Sequence, residues 1–471
     1  MNVRNFTRRN FLKAVGLGAV GCVMSESSAQ PQAGSVRKPN IVFVLADDLG
    51  WAELGCYGNT FNETPNLDRL AARGMRFTDA YAAAPVCSPF RAALMTGQYP
   101  ARLGITDYLR PNDKNHLSGR YTTIAEALKN AGYTTGIIGK WHLTGYKNHG
   151  ADEFPPAVHG FDETIVSENR GIGGGSYFHP YHFNREIEKR LPGREYLVDR
   201  CNLEAVEFIE RHKDKPFFLF LSHYAVHTRL EGKPELVSQF AQKPGAGKGP
   251  KASRNNTHLA AQLKSIDEGV GMIMKKLDEL GLADDTVLIF ASDNGGEGRV
   301  TSNAPLQAGK STLYEGGIRV PLIVRYPRIV PADTVCKTPT SNIDLYPTFC
   351  ELAGVKPKLH HIDGASITLL LHNPESRLNR DTFYWHYPLS KPHFLGGRSS
   401  GAIRKGPWKL IEFFDTGEKE LYNLEDDIGE KSNLAKENPD KVGRLQELLR
   451  SWRKDVGAKI PTGQGPGRGH T

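Results

Sequence analysis

Long apolar runs, each ending in polar residues, recur along the first two thirds of the chain. They occupy residues 40–46, 134–139, 216–222, 286–291 and 320–326. These runs are continuous rather than alternating, and they are rich in β-branched or aromatic residues. They therefore predict strands that are buried on both faces of a mainly parallel sheet.

Helical patterns lie between these runs. The clearest spans residues 256–280, where apolar residues spaced by alternating steps of four and three form one stripe, and Gly281 ends the helix. Shorter helices are predicted at 66–73 and 122–131. Strands and helices alternate as far as about residue 375, which predicts an α/β fold with a large, mainly parallel or mixed sheet flanked by helices.

The pattern changes after residue 382. Short aromatic and β-branched runs at 383–387, 407–414 and 420–424 are separated by glycine turns, which predicts a small antiparallel sheet followed by a charged helix near 438–454. We therefore divide the chain into an N-terminal domain at 31–375 and a C-terminal α+β subdomain at 376–471. The glycine- and proline-rich tail from residue 460 is predicted to be disordered.

Residues 1–30 have the features of a targeting segment. Arg8 and Arg9, followed by Phe11, Leu12 and Lys13, resemble a twin-arginine export signal, and the apolar stretch 14–24 is too short to span a bilayer. Cleavage near residues 28–29 would release a soluble protein. The alternative is a lipid anchor on Cys22, which ends a lipoprotein-like box. We expect an exported protein, periplasmic or at the cell surface, with no transmembrane span.

Composition narrows the candidate partners. The 471-residue chain has a formal net charge of +8, of which +3 lies in residues 1–30, with four basic residues against one acidic. This mild excess is compatible with an anionic substrate, and no nucleic-acid-binding motif is present. Among the 6 cysteines no Cys-x-x-Cys pair occurs, so neither a zinc site nor a dithiol redox site is indicated. Whether Cys56, Cys201, Cys336 and Cys350 form disulfides is left open.

Polar residues that follow the predicted strands are candidates for a site. Asp47 and Asp48 follow the first strand, and Asp293 and Asn294 follow the fourth. Open α/β sheets place their sites at this edge, and oxygen ligands of this kind suit hard divalent cations. A solvated acidic turn is the alternative for the aspartate pair. Further candidates are Lys140 and His142 after the second strand, His227 after the third, and Lys310 before the fifth.

Residues 87–97 predict a cysteine presented at the start of a helix. Ser88 is expected to be the N-cap and Pro89 the first helical residue, and Gly97 is expected to end the helix. The helix dipole and Arg91 would favour an anion at Cys87. The alternative is a buried thiol that only packs.

The order of these segments resembles the type I sulfatases of the alkaline phosphatase-like superfamily. The similarity covers most of residues 40–430, and Phe90 departs from the family pattern at a variable position. The matching blocks are Asn-Ile-Val-Phe-Val-Leu-Ala-Asp-Asp (40–48), Cys-Ser-Pro-Phe-Arg (87–91), Gly-Lys-Trp-His (139–142), the His227 segment, Ser-Asp-Asn-Gly (292–295), Gly-Lys-Ser-Thr-Leu-Tyr-Glu-Gly-Gly (309–317), Ser-Asn-Ile-Asp-Leu-Tyr-Pro-Thr (341–348) and Ile-Arg-Lys-Gly-Pro-Trp-Lys (403–409).

The resemblance implies that a formylglycine-generating enzyme oxidises Cys87 to Cα-formylglycine, whose hydrate is the nucleophile. It implies a divalent cation, usually Ca²⁺, although Mg²⁺ also fits oxygen ligands. The implied metal ligands are Asp47, Asp48, Asp293, Asn294 and the modified Cys87. Arg91, Lys140 and Lys310 would bind the sulfate oxygens. His227, with Lys310, would protonate the leaving alcohol, and His142 would take the proton from the second hydroxyl of the hydrate, which expels sulfate and regenerates the aldehyde.

The predicted function is hydrolysis of a sulfate ester on a sulfated carbohydrate. Export, the mild positive charge and long loops near 145–200 and 385–400 favour a carbohydrate. His386, Lys391, His393 and Arg398 would rim such a pocket or belong to a solvated loop. One alternative is a phosphonate or phosphodiester hydrolase. Another is a surface protein that binds sulfated glycans without turnover and keeps Cys87 unmodified.

Overall fold

The computed structural model describes residues 38–110, 113, 115–144, 154–169, 177–356 and 361–461. Their strands are β1 (Asn40–Ala46), β2 (Met75–Phe77), β3 (Ala80–Tyr81), β4 (Thr134–Gly139), β5 (Glu163–Ile165), β6 (Phe217–Ser222), β7 (Thr286–Ser292), β8 (Leu322–Arg325), β9 (Thr334–Cys336), β10 (Thr340–Ser341), β11 (Thr382–Tyr387), β12 (Ser400–Lys405), β13 (Trp408–Phe413) and β14 (Lys419–Asn423).

The helices of the same residues are α1 (Pro65–Ala72), α2 (Cys87–Thr96), α3 (Pro100–Leu103), α4 (Ile124–Asn130), α5 (Leu197–Arg211), α6 (Pro234–Ala241), α7 (Thr257–Glu279), α8 (Glu315–Ile318), α9 (Leu345–Leu352), α10 (Thr368–His372) and α11 (Pro439–Asp455). Short 3₁₀ turns lie at Gly55–Tyr57, Pro156–His159, Ala283–Asp285 and Asn342–Asp344. None of these helices is long and apolar enough to cross a membrane.

An eight-stranded sheet in the order β5-β4-β6-β1-β7-β8-β2-β9 forms the centre of the fold. Strand β1 runs parallel to both neighbours, with Val42 opposite Leu219 of β6 and Leu288 of β7. Strand β8 runs antiparallel to β7 and β2, so the sheet is mixed. This confirms the predicted α/β class and corrects the fifth apolar run to a shorter, antiparallel strand.

Each face of the sheet carries its own hydrophobic core, as expected for strands covered by helices on both sides. The odd-numbered residues of β1 belong to one core and the even-numbered residues to the other: Ile41, Phe43 and Leu45, against Val42, Val44 and Ala46. The apolar stripe of α7 packs in the second core. Full burial of each large aliphatic side chain contributes roughly 1.5–3 kcal/mol.

The predicted start of α2 was wrong by two residues. The helix begins at Cys87, and Val86 occupies the N-cap position. Ser88 lies inside the helix, and its Oγ accepts a hydrogen bond from the backbone N–H of Leu109, 2.9 Å away. The tertiary contact with the 109 loop therefore replaces local capping. Gly97 ends the helix in the left-handed conformation, as predicted.

The C-terminal prediction is confirmed at the level of elements. Strands β11–β14 form a four-stranded antiparallel sheet in chain order, and α11 follows it. The domain boundary at residue 375 stays a prediction. Residues 1–30, including Cys22, lie outside the described residues, as does most of the tail beyond 460. Cys56, Cys201, Cys336 and Cys350 are free thiols.

Candidate active site

The carboxyl ends of β1 and β7 bring the candidate acidic residues together. Asp47 and Asp48 follow β1, and Asp293 follows β7, its parallel neighbour. The backbone N–H of Asp48 donates to Oδ1 of Asp293 at 3.0 Å, and Asp48 has a positive φ of 62°. Since such a backbone costs about 1 kcal/mol or more in a residue with a side chain, the cross-strand hydrogen bond holds a conformation that the chain would not choose locally.

Helix α2 presents Cys87 to these carboxylates. Ligand atoms of Asp47, Cys87 and Asp293 all lie within 4.8 Å of one another, and so do those of Asp48, Cys87 and His227. Cys87 is buried, and burial raises the pKa of its thiol to about 12, against the opposing charges of Lys140 and Lys310. The thiol is therefore protonated near neutral pH and lacks the low pKa of a thiolate nucleophile.

Three buried cations face the three carboxylates. The Nζ of Lys140 lies 2.5 Å from Asp47 Oδ2, and the Nζ of Lys310 lies 2.6 Å from Asp48 Oδ2. Arg91 donates from Nη2 to Oδ2 of Asp293 at 3.0 Å. Each carboxylate thus has a cation partner, which offsets the large cost of burying either charge alone.

Arg91 is also held by the ends of two further strands. Its Nη1 donates to the backbone carbonyl of Lys140 at 2.8 Å and to Oγ of Ser222 at 2.6 Å. Lys140 follows β4 and Ser222 ends β6. One guanidinium therefore ties α2 to three strand ends, which fixes Cys87 relative to the sheet.

The pKa values of Asp48 and Asp293 are shifted in opposite directions. Burial raises the pKa of Asp293 to about 7, and the charge of Asp47 adds to this shift. Burial acts in the same direction on Asp48, but the charges of Lys310, His227 and Lys140 outweigh it and hold the pKa of that carboxyl well below its usual range. Such divergent shifts in one cleft are typical of functional sites.

The two candidate histidines each hydrogen-bond a backbone carbonyl. His142 Nε2 lies 2.9 Å from the carbonyl of Leu109, and His227 Nδ1 lies 2.6 Å from that of Thr228. A carbonyl only accepts, so these nitrogens carry the hydrogen, and the opposite nitrogens present lone pairs. His227 Nε2 lies 3.7 Å from Asp48 Oδ2.

Both histidines are neutral near pH 7. Burial, with the charge of Lys140, holds the pKa of His142 well below its usual range. Burial, with the charge of Lys310, lowers the pKa of His227 to about 4. His142 Nδ1 is buried and accepts no hydrogen bond from any residue that the structure describes.

Glu168 orients the Lys140–His142 segment, and sequence reasoning missed it. Its carboxylate accepts the backbone N–H groups of Trp141 and His142, at 3.0 Å and 2.5 Å, and the hydroxyl of Tyr224 at 2.8 Å. His142 has a positive φ of 56°, so the acceptor stabilises an unfavourable backbone. Glu168 lies three residues after β5, where no spacing or periodicity in the sequence marks it.

A close backbone approach joins Asn294 to the loop that carries Lys310. A Cβ built on Gly295 would lie 1.7 Å from the carbonyl oxygen of Gly316, so only glycine fits there. The backbone N–H of Gly295 donates to the carbonyl of Gly317 at 3.0 Å. The glycine pairs in the two motifs therefore have one shared function, which is to pack the two segments together.

The oxygen atoms of the site fit a divalent cation. Asp47 Oδ1 and Asn294 Oδ1 are buried and accept no hydrogen bond within the described part of the chain. The amide nitrogen of Asn294 donates to Asp48 Oδ1 at 2.8 Å and to the carbonyl of Gly295 at 2.9 Å, so the amide oxygen remains available to a cation. Carboxylate and amide oxygens are the ligands that Ca²⁺ and Mg²⁺ prefer.

Family comparison decides what kind of protein carries this site. A family model described as "Sulfatase" matches residues 39–355, and one described as "N-sulphoglucosamine sulphohydrolase, C-terminal" matches residues 308–455. The chain belongs to the sulfatase family. It is therefore an enzyme that hydrolyses sulfate esters, and the resemblance seen in its motifs is confirmed.

Individual relatives agree with this assignment. The chain is 34% identical over 470 residues to arylsulfatase A of Homo sapiens, covering 88% of this chain and 87% of that protein. It is 30% identical over 516 residues to a sulfatase of Formosa agariphila, covering 93% and 92% of the two sulfatases. Since most of both proteins is matched, the similarity extends through the whole sulfatase architecture.

Two of the solved structures that resemble this sulfatase are complexes with saccharides. The structure of "Ps i-CgsB in complex with k-i-k-neocarrahexaose" matches with a TM-score of 0.78 and 33% identity, over 90% of this chain and 94% of that one. The structure of "BT4656 in complex with its substrate D-Glucosamine-2-N, 6-O-disulfate" matches with a TM-score of 0.72 and 25% identity, over 90% and 99%.

Proposed function

We propose that this sulfatase removes sulfate from a sulfated carbohydrate, using a formylglycine made from Cys87 beside a divalent cation. The observation that carries the proposal is the position of Cys87, whose Sγ lies within 4.8 Å of carboxylate oxygens on Asp47 and Asp293. The carbohydrate part is supported by the sugars bound in the two similar structures.

The state of Cys87 supports conversion to a different nucleophile. A thiol with a pKa of about 12 carries almost no thiolate near neutral pH. When oxidised to formylglycine by a formylglycine-generating enzyme, the residue supplies a hydrate oxygen that attacks the sulfur of the ester. The helix dipole of α2 and the hydrogen-bonded Arg91 favour developing negative charge at this position.

Asp47, Asp48, Asp293 and Asn294 would hold the cation, and the modified Cys87 would complete its ligands. We propose Ca²⁺, with Mg²⁺ as the alternative if waters complete its octahedron. The cation supplies charge neutralisation and polarisation at the oxygen atoms of the reacting group. The buried oxygens of Asp47 and Asn294 that accept no hydrogen bond from the described residues support this ligand set.

Lys140, Lys310 and Arg91 are proposed to stabilise the sulfate oxygens. Their charges lie in a water-poor site, where electrostatic stabilisation of a transition state is strongest. His227 Nε2 and Lys310 Nζ lie on the same Asp48 oxygen, at 3.7 Å and 2.6 Å. We assign to this pair the delivery of a proton to the leaving alcohol, because a bound sulfate anion would raise the pKa of His227 from about 4.

His142 is proposed as the base that takes the proton from the second hydroxyl of the hydrate, so that sulfate leaves and the aldehyde forms again. Its Nδ1 is the lone-pair nitrogen, since Nε2 donates to Leu109. Glu168 holds the backbone of His142, which keeps the ring oriented.

The chain is also proposed to leave the cytoplasm by the twin-arginine route after Cys87 has been modified. It would then be released as a soluble protein or anchored by a lipid on Cys22.

Three measurements on protein expressed in its native host test the proposal. Mass spectrometry of the peptide that contains Cys87 is expected to show the aldehyde, and a thiol alone would support a binding protein. Sulfate release is then compared between 4-nitrophenyl sulfate, a matched aryl phosphodiester and a panel of defined sulfated saccharides. Faster turnover of the phosphodiester than of any sulfate ester would contradict the proposal. Metal analysis of the same preparation identifies the cation.

A further inference from the structure

A cavity of about 690 Å³ opens beside the candidate active site. Asp107, Tyr108 and Arg110 supply one wall, and residues 388–394, from the loop between β11 and β12, supply the other. Of the four residues that sequence analysis placed at a pocket rim, Lys391 and His393 line this cavity. His386 is buried with Nε2 3.0 Å from the carbonyl of Lys459, and Arg398 pairs with Asp415 at 3.0 Å, so these two have other roles.

The first wall is attached to the nucleophile helix and to the proposed base. The backbone N–H of Leu109 donates to Ser88 Oγ at 2.9 Å, and Ser88 follows Cys87. The carbonyl of the same residue accepts from His142 Nε2 at 2.9 Å. Tyr108 lines the cavity, and the residue after it, Leu109, hydrogen-bonds both Ser88 and His142 through its backbone.

The second wall is attached to the loop that carries Lys310. A tight turn closes it, because His393 N–H donates to the carbonyl of Gly397 at 2.8 Å and Gly396 N–H donates to that of His393 at 2.9 Å. A Cβ on Gly397 would lie 1.9 Å from the carbonyl oxygen of Ser311. The turn thus packs directly on the residue that follows Lys310, and both walls are fixed relative to the reacting group.

Aromatic rings line the cavity. The rings of His393 and Phe394 stack with centroids 4.3 Å apart, and the Tyr108 ring meets His393 edge-on at 5.7 Å. Phe394 is 67% exposed, an unusual state for a large aromatic side chain held in place by neighbours. Exposed rings of this kind supply apolar contact area at low entropic cost, and they suit the C–H face of a sugar.

Cationic groups surround these rings. The guanidinium of Arg299 lies 5.2 Å from the Phe394 ring centre, and that of Arg110 lies 4.1 Å from the Tyr108 ring centre. Their side chains are 59% and 48% exposed, although Glu297 and Asp107 each pair with one of them. Lys391 is exposed at the same cavity. Arg110 also lies 3.9 Å from Asp113, but a guanidinium carries five N–H donors, so these carboxylates leave donors for an anionic ligand.

We propose that this cavity binds the sugar ring next to the one that bears the scissile ester, and that this second ring carries an anionic group, a sulfate or a carboxylate. Phe394 packs on the ring face, and Lys391, Arg110 and Arg299 attract the anion. The inference rests on the proposed action on a sulfated carbohydrate. It makes the enzyme selective for anionic oligosaccharides over sulfated monosaccharides.

The test compares the wild-type enzyme with Phe394→Ala and Lys391→Ala. Rates of sulfate release are measured on 4-nitrophenyl sulfate, on sulfated monosaccharides, and on sulfated di- to hexasaccharides of galactan and glycosaminoglycan origin. For the best oligosaccharide, kcat/KM divided by that for 4-nitrophenyl sulfate is expected to fall about 10-fold in Phe394→Ala, mainly through KM. The effect of Lys391→Ala is expected to weaken as ionic strength rises.

Matched controls separate this site from general surface effects. Leu369→Ala removes another apolar side chain, 54% exposed on α10, and Lys275→Ala removes another lysine, 79% exposed on α7. Neither is expected to change the ratio. Hydrolysis of monosaccharides as fast as oligosaccharides, or a ratio unchanged in both cavity variants, would overturn the cavity proposal and leave the proposed function standing. If no member of the panel released sulfate, both the cavity proposal and the proposed function would be overturned.

Discussion

Lys409 connects the C-terminal sheet to the segment that follows Lys310, and its replacement is expected to be strongly destabilising. The lysine lies on β13, and its Nζ is 2.8 Å from Glu315 Oε1 and 2.8 Å from Glu430 Oε1. All three side chains are buried. The backbone N–H of Glu315, at the start of α8, also donates to Glu430 Oε2 at 2.7 Å. Lys409→Met keeps the apolar stem and removes only the charge.

The size of the effect follows from burial. Removing one member of a buried charge group leaves its partners uncompensated, which costs about 3–5 kcal/mol in free energy of unfolding. Lys405 provides a matched control on neighbouring β12, because its Nζ lies 2.7 Å from Asp381 but the two side chains are 43% and 64% exposed. Lys405→Met is expected to cost less than about 1 kcal/mol.

The stability loss in Lys409→Met is also expected to depend on pH. Burial raises the pKa of Glu430 to about 7, and Glu315 adds to this shift while Lys409 opposes it. Against burial, Lys409 and Arg319 lower the pKa of Glu315 to about 2. Without Lys409 both carboxylates take up protons at higher pH in the folded state. Acidification from about pH 8 to about pH 5.5 therefore stabilises folded Lys409→Met. The difference in free energy of unfolding between this variant and the wild type should shrink over that range.

The assay is the apparent melting temperature of each variant at one scan rate, with denaturant unfolding where refolding is reversible. Lys409→Met is expected to melt well below the wild type and Lys405→Met close to it. The kcat for 4-nitrophenyl sulfate should also fall in Lys409→Met, since Glu315 lies five residues after Lys310. Equal losses of stability in the two lysine variants, or a stability loss in Lys409→Met that does not shrink on acidification, would show that Lys409 does not neutralise the two buried glutamates.

Two further substitutions probe the backbone around the site. Gly295→Ala places a methyl 1.7 Å from the carbonyl oxygen of Gly316, so the yield of folded protein or kcat should fall at least about tenfold. The control is Gly298→Ala, whose methyl would meet nothing within 4 Å. It should behave as wild type in the same expression and turnover assays. Glu168→Gln turns an amide towards the N–H groups of Trp141 and His142, so kcat should fall about tenfold. An unchanged kcat in Glu168→Gln would show that Glu168 does not position His142 for catalysis.

The strands and the edge of the site were predictable because they depend on local patterns. Continuous apolar runs mark β1, β6 and β7, and the polar residues that follow parallel strands must meet at one edge of the sheet. That argument marked Asp47 with Asp48, and Asp293 with Asn294, as candidates at this edge, and the resemblance to the sulfatases implied that they form one ligand set. Their roles in catalysis stay predictions until the experiments above are done.

The remaining features depend on contacts between segments far apart in the chain. Ser88 looked like a helix N-cap, but a hydrogen bond from Leu109 draws its hydroxyl into the fold. No motif marks Glu168, and the 403–409 block that ends at Lys409 gives no sign of its burial, since a lone acid in a loop or a lone lysine in a strand usually contacts solvent. Only the tertiary structure shows that both are nearly or fully buried against charged or polar partners.

The charges at the site balance one another. Three cations face three aspartates, so the six side chains sum to zero when all are ionised: Asp47 with Lys140, Asp48 with Lys310, and Asp293 with Arg91. All six are at least nine-tenths buried. A divalent cation added to this set would make the site positive by two charges, which favours an anionic ester over a neutral one.

Cation and substrate should therefore strengthen each other's binding. Because coupling between two ligands is reciprocal, a factor by which Ca²⁺ raises the affinity for an anion must equal the factor by which the anion raises the affinity for Ca²⁺. Titration calorimetry of Ca²⁺ into metal-depleted enzyme, with and without inorganic sulfate, is expected to show Ca²⁺ binding at least about 5-fold tighter with sulfate, the lower end of typical couplings. Inorganic phosphate should act in the same direction, and a neutral sugar should have no effect. Equal Ca²⁺ affinity with and without sulfate would mean that the cation and the anion do not share this buried set of charges.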